Sequence, residues 1–472
     1  MPAGRFRLGR RGIRFEEGDT VAAAMYRAGV RTFSRSIKHH RRRGLYCGTG
    51  ECPNCLVSID GVPGVRSCVT AAREGMRVRR EGGWPSVERD ALAILDRLHP
   101  LLPVGFYHKA FIRPRWAWPL AERVIRRVAG VGRLPPGSSE RIRGRQLRCD
   151  VLVVGGGDAG KAAALEAARR GDTVVLCDQG SVHDAPEGVE VLEGHAALGI
   201  YDGPLVPLAG PGELVEVHPG RIVVATGGTE THPLFPGNDL PGVMLGRAAA
   251  GLARCGVGVG ARAVVVAGHD EGIAVLEELR RAGVRVVAAV VPPELAARVP
   301  EGVRALVGAT IVRAEGRGRL RYAVLRDAGG VIRGIACDAF VVSLGLGPRD
   351  DLLRMAGAEE PVEAVGGVAE AAPPTAGVSS GYVCLCEDVA TGDLRRAWAE
   401  GFRSSELLKR YTTATMGPCQ GAMCGRHLAA FAAARSAAAN AGRTTARPPV
   451  RPVALEVLAA PVREVIKQRT AL

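Results

Sequence analysis

Residues 151–178 read V-L-V-V-G-G-G-D-A-G-K-A-A-A-L-E-A-A-R-R-G-D-T-V-V-L-C-D, and their reading decides the fold. Residues 151–154 predict a short buried strand, residues 162–170 a helix, and residues 173–176 a second, parallel strand. Gly155, Gly157 and Gly160 make G-x-G-x-x-G between the first strand and the helix. The first glycine permits the tight turn, the second lets a pyrophosphate approach the backbone, and the third lets helix and strand pack closely. Asp178 ends the second strand, where an acid meets a ribose 2′-hydroxyl. The complete unit predicts dinucleotide binding; the alternative is a nucleotide fold that has lost its ligand.

Further along, residues 221–225 read as a buried strand closing on Thr226, Gly227 and Gly228. Residues 262–267, 273–281 and 284–291 repeat strand, helix and strand around Gly268-His269-Asp270-Glu271-Gly272. That turn is only G-x-x-x-G, a poor pyrophosphate fingerprint. The repeat is therefore read first as a structural relic, with NAD uncertain, and His269 as a loop residue. Residues 311–325 and 331–336 suggest a small sheet, and residues 340–344 close the unit. The stretch from 178 to 221 reads as short and turn-rich.

Eight of the twelve cysteines fall into two sets. Cys47, Cys52, Cys55 and Cys68 are spaced C-x4-C-x2-C-x12-C, and the first three match the plant-type [2Fe–2S] loop. Gly48 and Gly50 let this loop wrap tightly and aim amide N–H groups at sulfur. Residues 56–59 predict a strand, Asp60 and Gly61 a turn, and residues 65–68 the return that delivers the fourth thiol. Zinc and purely structural cysteines are the alternatives; zinc too takes soft thiolates, but zinc sites more often use two C-x2-C pairs. Cys384, Cys386, Cys419 and Cys424 are spaced C-x-C-x32-C-x4-C. A helix over residues 388–399, capped by Thr391 or Asp393, and another running to residue 410 behind Ser404 or Ser405 lie between them. Cys424 opens a last helix over residues 425–438, whose N-terminus favours negative charge. Such helix–turn units suit a second [2Fe–2S] cluster, with zinc or an empty remnant as alternatives. Neither set leaves an open ligand position, so electron transfer is the expected role. Cys149, Cys177, Cys255 and Cys337 are isolated and read as small buried hydrophobes.

The 472 residues carry a formal charge of +15, with 47% hydrophobic and only 4% aromatic residues. That length predicts several domains with real cores. Residues 35–44, R-S-I-K-H-H-R-R-R-G, form a basic knot: a partner face, a means of stabilising a negative centre, or a solvated surface. His39 and His40 within it are read as packing or electrostatic residues. No helix-turn-helix or zinc-finger pattern accompanies the charge, so an acidic protein partner is expected and nucleic acid is not. Phe106, Tyr107, Phe111, Trp116 and Trp118 form an aromatic patch that suits a buried crossing segment or an interface. Residues 131–146 read as a linker and residues 453–466 as helical. The N-terminus has no apolar signal segment, and no run of about 18 apolar residues predicts a membrane span.

With these residues in hand, the chain resembles the alpha, electron-transfer flavoprotein subunits of heteromeric amine and imino-acid dehydrogenases. That family includes sarcosine oxidase, opine oxidase, hydrogen cyanide synthase and the dye-linked proline and hydroxyproline dehydrogenases. The motifs that carry the resemblance are R-S-I-K-H-H-R-R-R-G-L-Y-C-G-T-G-E-C-P-N-C at 35–55, G-G-G-D-A-G-K-A-A-A at 155–164 and A-T-G-G at 225–228. They continue with F-P-G-N-D-L-P-G-V-M at 235–244, C-L-C-E-D-V at 384–389 and K-R-Y-T-T-A-T-M-G-P-C-Q-G-A-M-C at 409–424. The resemblance implies FAD at Gly155, Gly157, Gly160 and Asp178, with Thr226 and Gly227 beside it. It also implies a partner FAD-containing beta subunit that oxidises the substrate, and additional small subunits in some complexes. The chain departs from the family in its shortened stretches at 178–221 and 366–380.

The expected fold class is an α/β two-dinucleotide-domain flavoprotein with an N-terminal ferredoxin-like α+β [2Fe–2S] domain and a small C-terminal helical [2Fe–2S] domain. The boundaries expected are 1–90 for the ferredoxin-like domain, 91–148 for a connecting segment and 149–260 for the FAD domain. They continue with 261–380 for the degenerate second unit and the return to the first, 381–438 for the helical domain, and 439–472 for the tail. The expected function is electron relay, through two [2Fe–2S] clusters and FAD, from a partner flavoprotein that acts on proline, hydroxyproline, sarcosine or an opine to an acceptor; the expected location is cytoplasmic, with membrane association through partners as the alternative. No catalytic residue is assigned. The alternatives are a self-contained NAD(P)H-linked reductase and an iron–sulfur scaffold with a degenerate flavin site.

Overall fold

A computed structural model describes residues 3–98, 104, 114–128, 142–356, 361–369, 380–435, 442–460 and 462–466. The chain divides into two compact units. One contains Met1–Pro135, Glu230–Gly345 and Pro374–Thr444; the other contains Pro136–Thr229, Leu346–Pro373 and Thr445–Leu472.

The second of these units is built on the strand Arg143–Val154. It runs parallel to Val174–Asp178 on one side and to Glu213–Val224 on the other, and Glu190–Glu193 extends the sheet beyond Val174–Asp178. Side chains alternate between the two faces with a period of two. Val151 and Val153 pack with Ala164 and Ala167 of the helix Asp158–Arg169, whereas Leu152 and Val154 pack with Val215, Val217 and Ile222. Val206–Gly210 folds back antiparallel on Glu213–Val224, and Val362–Ala364 adds a parallel strand to it.

Four elements differ from the sequence expectation. The first strand begins at Arg143 rather than 151, because polar residues read as linker find partners along the sheet: Arg145 Nε donates to Glu213 Oε2 at 3.0 Å and Gln146 Nε2 to Glu216 Oε2 at 3.1 Å. The helix starts at Asp158, four residues early, because the glycine turn is itself its first turn, with Gly157 as the cap. The stretch from 178 to 221 holds strands, with Val215 and Val217 turned inward and Glu216 between them less buried. The tail is not one helix. Leu455–Leu458 is a single turn and Val462–Ile466 joins the sheet beside Arg143–Val154, where an available edge overrides the helical pattern.

In the first unit a five-stranded sheet starts the chain. Its order is Arg11–Phe15, Gly4–Leu8, Arg77–Arg80, Leu56–Ile59, Val62–Arg66. Thr20 caps the helix Val21–Arg27 by accepting from Ala23 N at 3.1 Å, and that helix is buried along almost its whole length. Beyond this sheet the chain forms a 3-10 turn at Ala91–Ala93 and the short helix Ile94–Leu98. A second sheet of five parallel strands, Val243–Leu245, Ala339–Ser343, Arg262–Ala267, Arg285–Val291 and Ala305–Val307, carries the helices Gly246–Arg254 and Asp270–Arg281. Thr310–Glu315, Tyr322–Arg326 and Ile332–Ala336 form the small antiparallel sheet. The hairpin Tyr382–Cys384 with Val389–Ala390 then leads into the helices Thr391–Ala399, Ser405–Thr412 and Gly425–Ala433. Phe106, Tyr107 and Phe111 lie outside the described residues. Trp116 is 79% exposed and Trp118 37%, so the part of the aromatic patch that is described is not a buried crossing.

Candidate metal and nucleotide centres

The loop carrying Cys47, Cys52 and Cys55 needs glycine at two points. Gly48 has φ +70° and a Cβ there would stand only 2.5 Å from Ala248 Cα; Gly50 has φ +75°. The loop folds so that Cys52 N donates to Cys47 Sγ at 3.3 Å. The Leu56–Ile59 and Val62–Arg66 hairpin then returns Cys68, and Ser67 Oγ ties the two ends by donating to Cys55 O at 2.7 Å. All four thiols are buried and free of disulfides. They touch in the series Cys52, Cys47, Cys68, Cys55: hydrogen bonds from Cys52 and Cys68 push the Cys47 thiol well down, and one from Cys68 pushes Cys55 down.

The second set closes into a ring. Cys384 is pushed well down by hydrogen bonds from Cys386 and Cys424, and Cys419 by the same two thiols. Ser404 caps the helix Ser405–Thr412 by accepting from Leu407 N at 3.2 Å, and Asp393 Oδ2 accepts from Ala390 N at 2.9 Å at the start of Thr391–Ala399. Gly417 explains the glycine of M-G-P-C, since a Cβ there would overlap Cys386 Cβ. As they stand, no three Cys, His, Asp or Glu side chains among the described residues are arranged to hold a metal ion. The thiols of each set hydrogen-bond to one another instead. Their chemistry nonetheless fits an iron–sulfur group: four buried sulfur donors with no competing oxygen ligand.

The basic knot is not a solvated surface. Arg41 Nε donates to Asp388 Oδ1 at 2.9 Å and Arg41 Nη1 to Asp239 Oδ2 at 2.9 Å, while Arg43 Nη2 donates to the Leu385 and Cys386 carbonyls at 2.7 and 2.8 Å. The amides of Lys38 and His39 both donate to Asp388 Oδ2 at 3.1 Å. Burial alone would raise the Asp388 carboxyl, but Arg41 and then Arg43 outweigh it and hold it well below the usual carboxylate range. His40 Nδ1 pairs with Asp90 Oδ2 at 2.9 Å. The knot thus clamps the N-terminal loop onto the Cys384–Cys386 turn.

The glycine turn of the other unit is open on one side. Gly155 has φ +117° and a Cβ there would overlap the Ala225 carbonyl oxygen; a Cβ on Gly160 would overlap the Gly155 carbonyl oxygen. Gly157 faces nothing within 4 Å. Beside it lies a cavity of about 280 Å³ whose lining includes Gly155, Gly157, Asp178, Thr226 and Gly227. The structure therefore brings five of the six expected cofactor residues to one cavity and sets Gly160 beneath it as a packing residue. Asp178 accepts from Gly156 N and Gly180 N, both at 2.7 Å, which fixes the carboxylate at the cavity wall. Thr226 Oγ1 donates to Arg349 O at 2.7 Å and Arg349 N to Gly227 O at 2.9 Å. Arg349, Arg451 and His195 also line the cavity and have no local sequence signal. An open helix N-terminus with two arginines beside it suits a phosphate-bearing ligand.

The turn at 268–272 is closed. Asp270 and Glu271 occupy the first turn of its helix, and His269 Nε2 meets Ser343 Oγ at 3.0 Å. Ser343 Oγ donates to Glu230 Oε1 at 3.0 Å, and Glu230 Oε2 accepts from Arg247 N at 2.8 Å. Burial pushes the Glu230 carboxyl up to about 7. Of the isolated cysteines, Cys149, Cys177 and Cys337 are buried, and Cys255 is partly so.

Residues 6–83 match the family described as a 2Fe-2S iron-sulfur cluster binding domain, residues 150–235 an FAD binding domain, and residues 378–462 the sarcosine oxidase A3 domain. The chain is 30% identical to sarcosine oxidase subunit alpha of Rhizobium meliloti, over 94% of this chain and 56% of that one. It is 44% identical to hydrogen cyanide synthase subunit HcnA of Pseudomonas aeruginosa, over 14% of this chain and 61% of that one. The chain thus spans little more than half the length of the sarcosine oxidase relative. The crystal structure of L-proline dehydrogenase from P. horikoshii superposes with a TM-score of 0.70 at 18% identity, over 96% of this chain and 97% of that one, and shares the fold.

Proposed function

We propose that this chain, a family relative of the alpha subunits of heteromeric sarcosine oxidase and of hydrogen cyanide synthase, is the electron-transfer subunit of an FAD-dependent dehydrogenase acting on amines or imino acids. In this reading Cys47, Cys52, Cys55 and Cys68 hold one [2Fe–2S] cluster, and Cys384, Cys386, Cys419 and Cys424 hold a second within a small helical domain. Gly155, Gly157, Gly160, Asp178, Thr226 and Gly227 hold FAD. The observation that carries it is the gathering of two buried four-thiol sets in a chain that also keeps an open glycine turn.

The clusters and the flavin, when bound, supply one-electron and two-electron chemistry. The chain's own residues then have defined tasks. The helix Asp158–Arg169 turns its N-terminal amides toward the pyrophosphate, and Asp178 orients the ribose. The buried thiols keep water from the clusters, and Arg43 fixes the turn between Cys384 and Cys386 through two carbonyls. Four thiolates would saturate each cluster when bound, so neither would offer substrate a position. Substrate oxidation is assigned to a second, FAD-containing subunit, with proline, hydroxyproline, sarcosine or an opine as the substrate class. No helix among the described residues is long and apolar enough to cross a membrane, which is compatible with a cytoplasmic complex. Asp270 and Glu271 at the second helix N-terminus disfavour a pyrophosphate there, which argues against a self-contained NAD(P)H-linked reductase.

The test is iron, acid-labile sulfide and flavin analysis of the intact complex, followed by dye reduction with the subunits apart and recombined. About four irons and one flavin on this chain are expected, with turnover only after recombination. Substrate-dependent turnover by the isolated chain, at the rate of the complex, would overturn the assignment of the chemistry to a partner.

A further inference from the structure

The two four-cysteine sets are distant in sequence and adjacent in the fold. Tyr46, Cys47 and Cys52 share one buried cluster with all four cysteines of the second set. Beside the contacts of Lys38, His39 and Arg41 to Asp388, three further hydrogen-bonded contacts lie close to the cysteines. Arg43 reaches the Leu385 and Cys386 carbonyls, and Arg66, two residues before Cys68, donates from Nη2 to Pro418 O at 2.9 Å, one residue before Cys419. The third runs through rings. Tyr46, next to Cys47, places its hydroxyl 2.5 Å from His232 Nδ1, and His232 Nε2 lies 2.9 Å from Tyr382 O, two residues before Cys384.

This last contact has the features of a conduit. Tyr46 and His232 are each 1% exposed, so no water intervenes to loosen the coupling. Their ring centroids are 5.5 Å apart. His232 is held at its backbone too, because His427 Nε2 meets His232 O at 2.6 Å. Tyr382 is held by Asn238, whose Oδ1 accepts from Tyr382 N at 3.0 Å and whose Nδ2 donates to Tyr382 O at 2.9 Å. A rigid, dry path of covalent bonds crossed by two short hydrogen bonds therefore runs from Cys47 to Cys384.

We propose that the two cysteine sets form one direct electron relay, bridged by Tyr46 and His232, in which electrons pass between the clusters without visiting the flavin. This rests on the proposed second cluster. With clusters bound at both sets, the reduced one would give up a single electron and the oxidised one would take it up, while Tyr46 and His232 would keep their protons and be neither oxidised nor reduced. They are positioning residues, and no outside reactant is needed.

The experiment uses the full complex and the variants Tyr46→Phe and Arg66→Gln. Iron and sulfide are counted first. The fully reduced protein is then examined by EPR for magnetic interaction between the two centres, and electron equilibration between them is timed after single-electron photoreduction. The wild type is expected to show interacting spins. Tyr46→Phe should keep its iron and its spin interaction but equilibrate several-fold more slowly, while Arg66→Gln equilibrates as the wild type does. Full iron with non-interacting spins would overturn the relay alone, as would an unchanged rate in Tyr46→Phe or a slowed one in Arg66→Gln. Half the iron, with a single signal, would overturn the second cluster and the relay with it. Should Tyr46→Phe lose iron, His232→Gln replaces it, with the same outcomes read.

Discussion

The turns at 155–160 and 268–272 sit in the same place in two similar units, each between a parallel strand and the helix that follows it. They differ in what occupies the helix N-terminus. At the first, Gly157 faces open space and Asp178 is drawn aside by the amides of Gly156 and Gly180. At the second, Asp270 and Glu271 take the first helical turn, and Glu230, Ser343 and His269 close the ends of the strands. A helix N-terminus favours negative charge, and either a ligand or the chain's own carboxylates can supply it. The comparison teaches that the fold alone does not make the site. What makes it is leaving that positive end to something from outside.

The largest effect should come from the glycine that holds the open turn together. In Gly160→Val the new Cβ overlaps the Gly155 carbonyl oxygen, a backbone atom that cannot step aside. A loss of about 3 kcal/mol or more is expected in denaturant melts. A melt like that of the wild type would show that the turn is not built as described. Next is the glycine that holds nothing. Gly157→Val meets no atom within 4 Å of its Cβ, so stability should stay within about 0.5 kcal/mol while bound flavin falls sharply and iron is unchanged. Gly268→Val, in the closed turn, should leave flavin content alone. If both variants lose flavin equally, the contrast between the turns fails.

The closed turn should also reveal itself through pH. The Glu230 carboxyl rises from 4.5 to about 7 because burial disfavours its charge. A raised carboxyl stabilises the fold fully below the unfolded value and loses that contribution as pH climbs through the folded one. Between pH 4.5 and 7 the wild type should therefore lose stability on the order of 3 kcal/mol through this group, and Glu230→Gln should flatten that slope and be the more stable at pH 8. Thermal melts across that window check it; parallel slopes in the two proteins would contradict the buried, protonatable plug. The smallest effect is expected at Asp178→Asn. The neutral side chain keeps one acceptor for the two amides, so flavin affinity should weaken by about tenfold or less, read by fluorescence titration, with little change in stability.

Much of the candidate chemistry was legible because it is local. The cysteines of the first set, with two to twelve residues between successive members, can meet around a centre only if the loop between them turns, and the glycines at 48 and 50 supply that turn. The strand, glycine turn and helix at 151–170 are likewise held by atoms within a few residues of each other. The boundaries were less legible. Arg145 and Gln146 look like linker until Glu213 and Glu216 lie opposite them. Residues 453–466 carry a helical pattern, yet a vacant sheet edge claims Val462–Ile466. In both cases a partner far along the chain decides between conformations that the local residues tolerate about equally.

By itself the sequence determined the two sets of four thiols, the glycine turn with its terminal acid, and the weakness of the second turn, since spacing and steric freedom are properties of short segments. Only the tertiary structure decided what those pieces face. Along the chain the cysteine sets flank the glycine turn; in the fold Cys47 and Cys52 share one core with the whole second set, while the turn belongs to the other unit. Tyr46 and His232, 186 residues apart, meet between the sets, and Arg349 and Arg451 reach the cavity beside Gly157. Such contacts arise from the packing of whole sheets and helices, which bury their apolar faces collectively, and no short stretch of residues encodes which distant side chain that packing will bring alongside.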